Sequence, residues 1–260
     1  MIPLDTHSHS THSPDGHDPV ERICGYAVQK GITHLSITEH VDGDYCHPQH
    51  GFFNYERYSD TITRAQRQFP ELTILKGIEF GEAHIAREAF AHASSLELDL
   101  IIGSVHRPGM VPLTDTSYRE RYTTQEIFEI YFEEAYRMVE HGGFDVLGHL
   151  DLPVRYLFEG YAVSHTLEKL LKLCIRQEIV PEINTSSMRR GYKELMPSAD
   201  TLALYADCGG RYIACGSDAH HARDIAADYD SLERVVSRFN LVPVYFKDRT
   251  LREMPFKCCV

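Results

Sequence analysis

The chain has 260 residues, 43% of them hydrophobic and 25% charged, and a formal net charge of −12 with histidine neutral. This length and apolar content suffice for one large α/β domain with a substantial core, and a single domain over residues 1–260 is expected because no linker-like stretch interrupts the chain. The negative charge disfavours a non-specific grip on nucleic-acid phosphates but does not exclude a local basic pocket.

Neither a membrane span nor a disulfide framework is indicated. There is no run of eighteen apolar residues and no basic segment followed by an apolar one near the start, which predicts a cytoplasmic protein with no membrane partner. The cysteines are odd in number and form no C-x-x-C pair, which is typical of reduced thiols. They are Cys24, Cys46, Cys174, Cys208, Cys215, Cys258 and Cys259.

Along the chain, apolar runs alternate with segments of helical character. Strands are predicted at the start (Ile2 and Leu4) and at residues 33–38, 72–78, 98–105, 144–148, 179–183 and 212–216. Helices are predicted at about 19–31, 56–68 and 85–95, around Ile127 to Val139, at 164–177, from Pro197 onward and at 229–239, before a short apolar run at 242–246. Asp18 is expected to cap the first helix, with Pro19 at its first position.

This alternation predicts a parallel sheet covered by helices. Seven strand–helix units favour a barrel that is one strand short of eight, with an open doubly wound sheet as the alternative. The barrel is favoured because metal-type side chains close six of the predicted strands, and the carboxyl ends of barrel strands converge on one rim. These side chains are His7 with His9, His40, Glu79, His106, His149, and Asp218 with His220.

The chemistry of this set predicts a multinuclear metal site. His7 and His9 lie two residues apart and would face the same way on a strand, and Asp15 stands in a Pro-Asp-Gly turn that could fold back to them. Nitrogen and oxygen ligands without thiolate suit zinc, manganese or iron, and Glu79 is the natural bridge between two ions. Two ions that share a water would favour attack of a bridging hydroxide on phosphorus.

An ordered set of motifs carries a resemblance to a known family. The motifs are His7-x-His9 with Ser13-Pro14-Asp15-Gly16, Thr38-Glu39-His40, Gly77-Ile78-Glu79, Gly103-Ser104-Val105-His106, Gly148-His149-Leu150-Asp151 and Gly216-Ser217-Asp218-Ala219-His220. Spanning positions 4–220, they resemble the polymerase and histidinol phosphatase (PHP) family, and most of all its stand-alone histidinol-phosphate phosphatases. The resemblance implies a distorted (β/α)7 barrel with the active site at the C-terminal rim, three divalent ions (zinc, manganese or iron), and hydrolysis of L-histidinol phosphate to L-histidinol and phosphate in histidine biosynthesis.

Residue roles follow from the same resemblance. It implies that His7, His9 and Asp218 bind one metal, His106 and His149 a second with Glu79 as the bridge, and Asp15, His40 and His220 a third. Many family members carry histidine where this chain has Asp15, which makes His17 the rival ligand. Asp218 and His220 are also the candidate catalytic residues, although the sequence does not single out the proton donor.

The substrate phosphate needs cationic donors, and arginine offers a planar fork for its oxygens. Arg155 and Arg189 occupy positions that resemble the phosphate-binding arginines of the histidinol phosphatases, with Arg190 and Arg107 as rivals. The loop 41–55 contains Asp42, Asp44, His47 and several aromatic residues, and either contacts a small cationic substrate or only packs.

Two other functions stay open. One is a phosphoesterase acting on nucleotides or short oligonucleotides, against which the charge of −12 argues. The other is a non-catalytic metal-binding module, against which the full ligand set argues.

The remaining histidines are expected to be structural or solvated, and the sequence does not indicate an oligomeric state. These histidines are His34, His84, His92, His141, His165 and His221.

Overall fold

The computed structural model describes residues 2–43, 50–192 and 194–254. Within these ranges the strands are β1 (Leu4–Asp5), β2 (His34–Asp42), β3 (Thr73–Gly81), β4 (Leu100–Ser104), β5 (Val146–Leu147), β6 (Val180–Asn184), β7 (Tyr212–Gly216), β8 (Val242–Lys247) and β9 (Thr250–Glu253). The α-helices are α1 (Val20–Gln29), α2 (Tyr55–Gln68), α3 (Arg87–Ser94), α4 (Ser117–Arg121), α5 (Thr124–His141), α6 (Val154–Leu157), α7 (His165–Gln177), α8 (Ser186–Arg189), α9 (Ala199–Asp207) and α10 (Tyr229–Arg238). Asp44, Cys46, His47, Cys258 and Cys259 lie outside the described residues.

The strands stand side by side in chain order, parallel from β1 to β8, with β9 antiparallel to β8. The start of β7 pairs with β8. Its end and the residues just after it bond to the segment that follows β1: Thr6 N–H donates to the carbonyl of Cys215 at 2.9 Å, and Asp218 N–H donates to the carbonyl of His7 at 2.8 Å. These few bonds bring β1 beside β7 without a continuous ladder. The predicted distorted (β/α)7 barrel is confirmed, and the β8–β9 hairpin is an addition to it.

The hairpin lies at the amino-terminal end of the barrel. Lys247 Nζ lies 2.8 Å from Asp99, just before β4, and Arg249 Nε lies 2.5 Å from Asp145, just before β5. Apolar side chains of the central strands and of β8 form one cluster, which consists of Leu100, Ile102, Val146, Val180, Ala214, Val244 and Phe246. Because this end of the barrel is covered, the opposite rim is the one left for a site.

Helix α5 shows how the outer layer positions that rim. Its first turn is closed by a capping box in which Thr123 and Glu126 exchange hydrogen bonds, the arrangement that satisfies free N–H groups at a helix start. Its apolar face is buried, and Tyr131 on that face donates a hydrogen bond from its hydroxyl to the carbonyl of His149 at 3.0 Å. The amphipathic pattern of this helix therefore holds the backbone of a predicted metal ligand.

Several local predictions were wrong in detail. Strands β2 and β3 extend to Asp42 and Gly81, so that His40 and Glu79 lie inside the strands and pair with each other in register. Asp18 does not cap α1. Its carboxylate instead accepts a hydrogen bond from the backbone N–H of Ala222 at 2.8 Å, which ties the amino-terminal loop to the segment after β7.

No helix among the described residues has the length and apolar character of a membrane span.

Candidate metal centre

His7 and His9 follow β1 and are completely buried. Nδ1 of His7 donates to Oε1 of Glu182 at 2.7 Å, which leaves Nε2 of His7 facing Oε2 of Glu79 at 3.3 Å. Nε2 of His9 lies 3.5 Å from Oε2 of Glu79 and 3.5 Å from Oδ1 of Asp218. Two imidazoles and two carboxylates from three strands therefore converge on one point of the rim.

Glu79 is the centre of the cluster. Its Oε2 faces His7, His9 and also Nδ1 of His40, the last at 3.0 Å. Its Oε1 faces Nε2 of His106 at 3.3 Å and Nε2 of His149 at 2.8 Å. One carboxylate thus divides its oxygens between two sets of imidazoles, which is the geometry of a bridging ligand.

The ligand-type atoms form three overlapping groups, each with members within 4.8 Å of one another. The groups are His7, His9 and Glu79, then Glu79, His106 and His149, and finally His9, His40 and His220. The first two share Glu79, and the first and third share His9. The family resemblance implied three metals with partly different ligand sets, since it placed Asp218 with His7 and His9, and Asp15 with His40 and His220; the three groups found here contain neither aspartate.

Unsatisfied buried atoms test whether cations fit here. Among the described residues, Nε2 of His7, Nε2 of His9 and Oε2 of Glu79 are buried without a hydrogen-bond partner. Leaving such polar atoms unpaired is costly in a protein interior. All three point at one another, and their nitrogen and oxygen chemistry suits a divalent cation of the zinc, manganese or iron type. The residues present therefore fit such an ion.

Electrostatics favour the metal-binding protonation states of Glu79 and His9. Burial lowers the pKa values of His7 and His40, but the carboxylates around them outweigh it and hold both well above the usual range. Burial opposes ionisation of Glu79, but the imidazoles of His7 and His40 outweigh it and hold the pKa of Glu79 well below its usual range. Burial, together with His40 and His220, holds the pKa of His9 well below its usual range. A neutral imidazole and an anionic carboxylate are the forms that bind metal.

Asp218 is shared between the imidazoles and an arginine. Its Oδ1 faces His9 and His220, each at 3.5 Å, while its Oδ2 accepts from Nη2 of Arg155 at 2.5 Å and from the hydroxyl of Ser186 at 3.1 Å. Burial opposes ionisation of Asp218, but the guanidinium of Arg155 holds its pKa well below its usual range. The predicted phosphate-binding Arg155 is therefore in direct contact with a predicted metal ligand.

Asp15 and His17, the two rivals for one ligand position, lie in different surroundings. Oδ2 of Asp15 lies 3.5 Å from Nε2 of His40 and 3.2 Å from Nε2 of His220. The ring of His17 stacks on that of His221 with centroids 4.1 Å apart. The geometry favours Asp15, since its carboxylate faces two of the grouped imidazoles.

The cluster opens into a cavity of about 610 Å³ that is lined by Arg155, Arg190 and Arg107, but not by Arg189. Arg189 donates from Nη2 to the carbonyl of Ser217 at 2.5 Å, one residue before Asp218. Asp42 also lines the cavity. Its neighbour in the predicted substrate loop, Asp44, lies outside the described residues.

Sequence reasoning missed the carboxylates that hold the ligands in place. Glu182 binds both Nδ1 of His7 and the backbone N–H of His149, the latter at 2.8 Å. Glu39 accepts from the hydroxyl of Ser13 at 2.5 Å, and Ser13 in turn lies 3.3 Å from Nδ1 of His9. The available signal was a charged residue within an apolar strand, since Glu182 interrupts the run from Ile179 to Ile183.

A family model and several curated relatives match this chain. A family model described as the PHP domain matches residues 5–186. A "probable histidinol-phosphatase" of Thermotoga maritima is 29% identical over 243 residues, covering 91% of this chain and 92% of the relative. A "histidinol-phosphatase" of Lactococcus lactis is 27% identical over 234 residues, covering 86% of each protein.

A solved structure has the same fold. The crystal structure of histidinol phosphate phosphatase from Lactococcus lactis, in complex with zinc, L-histidinol and phosphate, matches with a TM-score of 0.82. The match covers 96% of this chain and 99% of that one at 22% sequence identity. At this identity the likeness shows the fold, whereas the ligands named belong to that protein.

Proposed function

This chain belongs to the PHP domain family, and from that premise we propose that it is a metal-dependent phosphomonoesterase that hydrolyses L-histidinol phosphate to L-histidinol and phosphate. The observation that carries the proposal is the division of the Glu79 carboxylate between two groups of imidazoles. The substrate is supported by the relatives named histidinol-phosphatase, which match nearly end to end. The step would belong to histidine biosynthesis.

We propose three divalent ions, whose ligand sets overlap with the three groups described above but also include Asp218 and Asp15. The first would be bound by His7, His9 and Asp218, the second by His106 and His149 with Glu79 as the bridge, and the third by Asp15, His40 and His220. When bound, such ions lower the pKa of water and neutralise charge on a phosphoryl group. Zinc is supported by the Lactococcus lactis structure, which contains it, and manganese and iron by the ligand chemistry.

The remaining residues act on the substrate. Arg155 has further N–H groups for a phosphate oxygen while Nη2 stays on Asp218. We propose Arg189 for the second phosphate contact, with Arg190, which lines the cavity, as the rival. Because Arg155 keeps Asp218 ionised, Asp218 is suited to binding a cation rather than to donating a proton. His220, which lines the cavity, is likewise a proposed ligand, so we propose that both candidate catalytic residues act by holding the ions next to the substrate.

The partner is thus a small phosphate monoester, and Asp42 is a candidate to contact the ammonium of a substrate such as histidinol phosphate. Nucleic acid and membranes are not proposed as partners.

We expect the enzyme to work in the cytoplasm. The cysteines of the described residues, Cys24, Cys174, Cys208 and Cys215, are free thiols, which suits a reducing compartment.

Two measurements test the proposal. Elemental analysis of the purified protein should find two to three equivalents of metal, and one or none would contradict the multinuclear centre. Phosphate release should favour histidinol phosphate by orders of magnitude over an aryl phosphate and an oligonucleotide. Glu79→Gln should lose both metal and activity, whereas the same change at the exposed Glu71 should lose neither.

A further inference from the structure

A second cavity, of about 750 Å³, lies next to the loop that carries the first metal ligands. One wall is helix α2, and the other contains Thr11 and His12, which stand between His9 and Asp15 in the chain. It shares no lining residue with the cavity of the metal centre. Its size is within the range of small-molecule sites, and the proposed function does not use it.

Three arginines of α2 make the lining of this cavity predominantly cationic. Arg57, Arg64 and Arg67 are exposed and line it together. Arg57 and Arg64 are two helical turns apart, about 10 Å along the axis, and Arg67 lies one turn further on the same side. No ion pair within the described part of the chain involves any of the three. Asp60 is the one carboxylate among the lining residues, so cationic groups predominate here in a chain of net charge −12.

The surroundings of His12 support a positive potential. Burial lowers the pKa of His12, and the charges of Arg57 and Arg64 lower it further, against the opposing effect of Glu21. The imidazole ring packs edge-on against Tyr58, with centroids 5.8 Å apart. The positive charge of the arginines therefore affects His12 on the wall opposite α2. An anion in the cavity would lie between α2 and this wall.

The cavity also contains an aromatic surface. Phe52 is 51% exposed, the second most exposed of the large apolar side chains in the described residues, and its ring contributes to the lining. A planar ring of a ligand is stabilised by stacking on such an exposed aromatic side chain. Guanidinium groups bind phosphate oxygens through paired N–H donors. A ligand with phosphate groups and a planar ring would therefore match the side chains that line this cavity.

We propose that this cavity binds a nucleotide, with the polyphosphate chain on Arg57, Arg64 and Arg67 and the base against Phe52. The separation of Arg57 from Arg64 suits a chain of several phosphates better than a single inorganic ion. A ligand there contacts Thr11 and His12, between two predicted metal ligands.

Equilibrium dialysis of the metal-loaded, full-length protein tests this proposal. The probes are the magnesium complexes of ATP and of tripolyphosphate, and adenosine, each measured with excess magnesium to limit chelation and with saturating inorganic phosphate to fill the metal cavity. The test variant combines Arg57→Gln and Arg64→Gln. The matched control combines Arg176→Gln and Arg252→Gln, which remove two exposed charges elsewhere.

Wild-type protein and the control should bind ATP saturably and more tightly than tripolyphosphate or adenosine, and the test variant should bind ATP at least tenfold more weakly. Phe52→Ala should abolish the preference for ATP over tripolyphosphate. Absence of saturable binding, or undiminished binding by the test variant, would overturn the proposal, and an unchanged preference in Phe52→Ala would overturn its nucleotide part. Hydrolysis of histidinol phosphate without ATP should stay within twofold in all variants, so failure here is distinguishable from failure of the proposed function.

Discussion

Glu182 accepts a hydrogen bond from Nδ1 of His7 at 2.7 Å, and both side chains are fully buried. The same carboxylate accepts the backbone N–H of His149 at 2.8 Å. An imidazole that donates through Nδ1 presents the lone pair of Nε2, so this bond sets the tautomer that metal binding needs. One carboxylate of β6 therefore orients groups on both sides of Glu79.

Replacing Glu182 should weaken metal binding without removing a ligand. Residues that orient a ligand in this way are worth about 10–100-fold in metal affinity, so Glu182→Gln should lose affinity within that range and Glu182→Ala should lose more. Competition with a chromophoric chelator measures the effect, and Glu71→Gln serves as the exposed control. Wild-type affinity in Glu182→Gln would show that the contact with His7 does not orient the ligand.

Gly216, at the end of β7, should be essential for the same contact. A Cβ atom added there would lie 2.1 Å from Oε1 of Glu182 and 2.6 Å from Cβ of His7, closer than atoms pack. Gly216→Ala should therefore displace the pair and reduce the metal content. Gly25→Ala in α1 is the matched control, because nothing lies within 4 Å of its added Cβ. There alanine should stabilise the helix by about 0.5–1 kcal/mol. Full metal content in Gly216→Ala would refute the steric argument.

The sequence was sufficient to predict the barrel and the groups at its rim because both depend on periodic or local signals. Strand–helix alternation predicts a parallel sheet, and the polar residues at the strand ends favour a barrel over an open sheet, because the carboxyl ends of barrel strands converge on one rim. His40 and Glu79 could thus be expected to meet although 38 other residues separate them in the chain. Their roles as ligands stay predictions.

Contacts that depend on side-chain direction across the barrel could not be predicted in this way. Glu182 reaches His7 over a separation of 175 residues, and the pattern showed only an acidic residue in an apolar strand. The neighbours Arg189 and Arg190 differ by one position in a short helical turn, which decides which of them lines the cavity. The sequence pattern does not determine which side of this helical turn faces the cavity.

Asp15 and His17 should differ in their effect on the third metal. The carboxylate of Asp15 lies within 3.5 Å of His40 and His220, whereas His17 stacks on His221. Asp15→Ala should therefore lose about one equivalent of metal per chain, and His17→Ala should lose none. Elemental analysis after dialysis measures both. Loss of metal from His17→Ala with retention in Asp15→Ala would reverse the assignment.

The arginines should separate substrate binding from metal binding. Arg189→Ala should raise KM strongly because it removes a proposed phosphate contact. It should leave the metal content intact, because Arg189 contacts the carbonyl of Ser217 rather than a ligand side chain. Arg155→Ala should raise KM and also weaken metal binding, since it leaves Oδ2 of Asp218 without its guanidinium. Arg190→Ala is the comparison variant. A larger rise in KM for Arg190→Ala than for Arg189→Ala would assign the second phosphate contact to Arg190, which lines the cavity.

The buried pair of Glu134 and His84 should make folding stability depend on pH, independently of the metal centre. Oε1 of Glu134 lies 2.5 Å from Nε2 of His84, and Oε2 accepts from Arg137 at 3.0 Å and from the backbone N–H of Gly109 at 3.3 Å. The hydrogen bond from His84 lowers the pKa of Glu134, against the opposing effect of burial.

A carboxyl group whose pKa is depressed by folding stabilises the protein above its unfolded pKa, about 4.3, and loses that contribution as the pH falls through the folded value. Glu134→Gln should therefore lower the free energy of unfolding by about 1–3 kcal/mol at pH 7 and flatten its decline between about pH 5 and pH 3. Denaturant unfolding across that range measures both effects. Glu133→Gln, at a neighbouring exposed carboxylate whose ion pair with Arg137 is 3.7 Å long, should change stability little. An equal loss at pH 7 and pH 3 in Glu134→Gln would show that the pairing with His84 does not depend on the charge of the carboxylate.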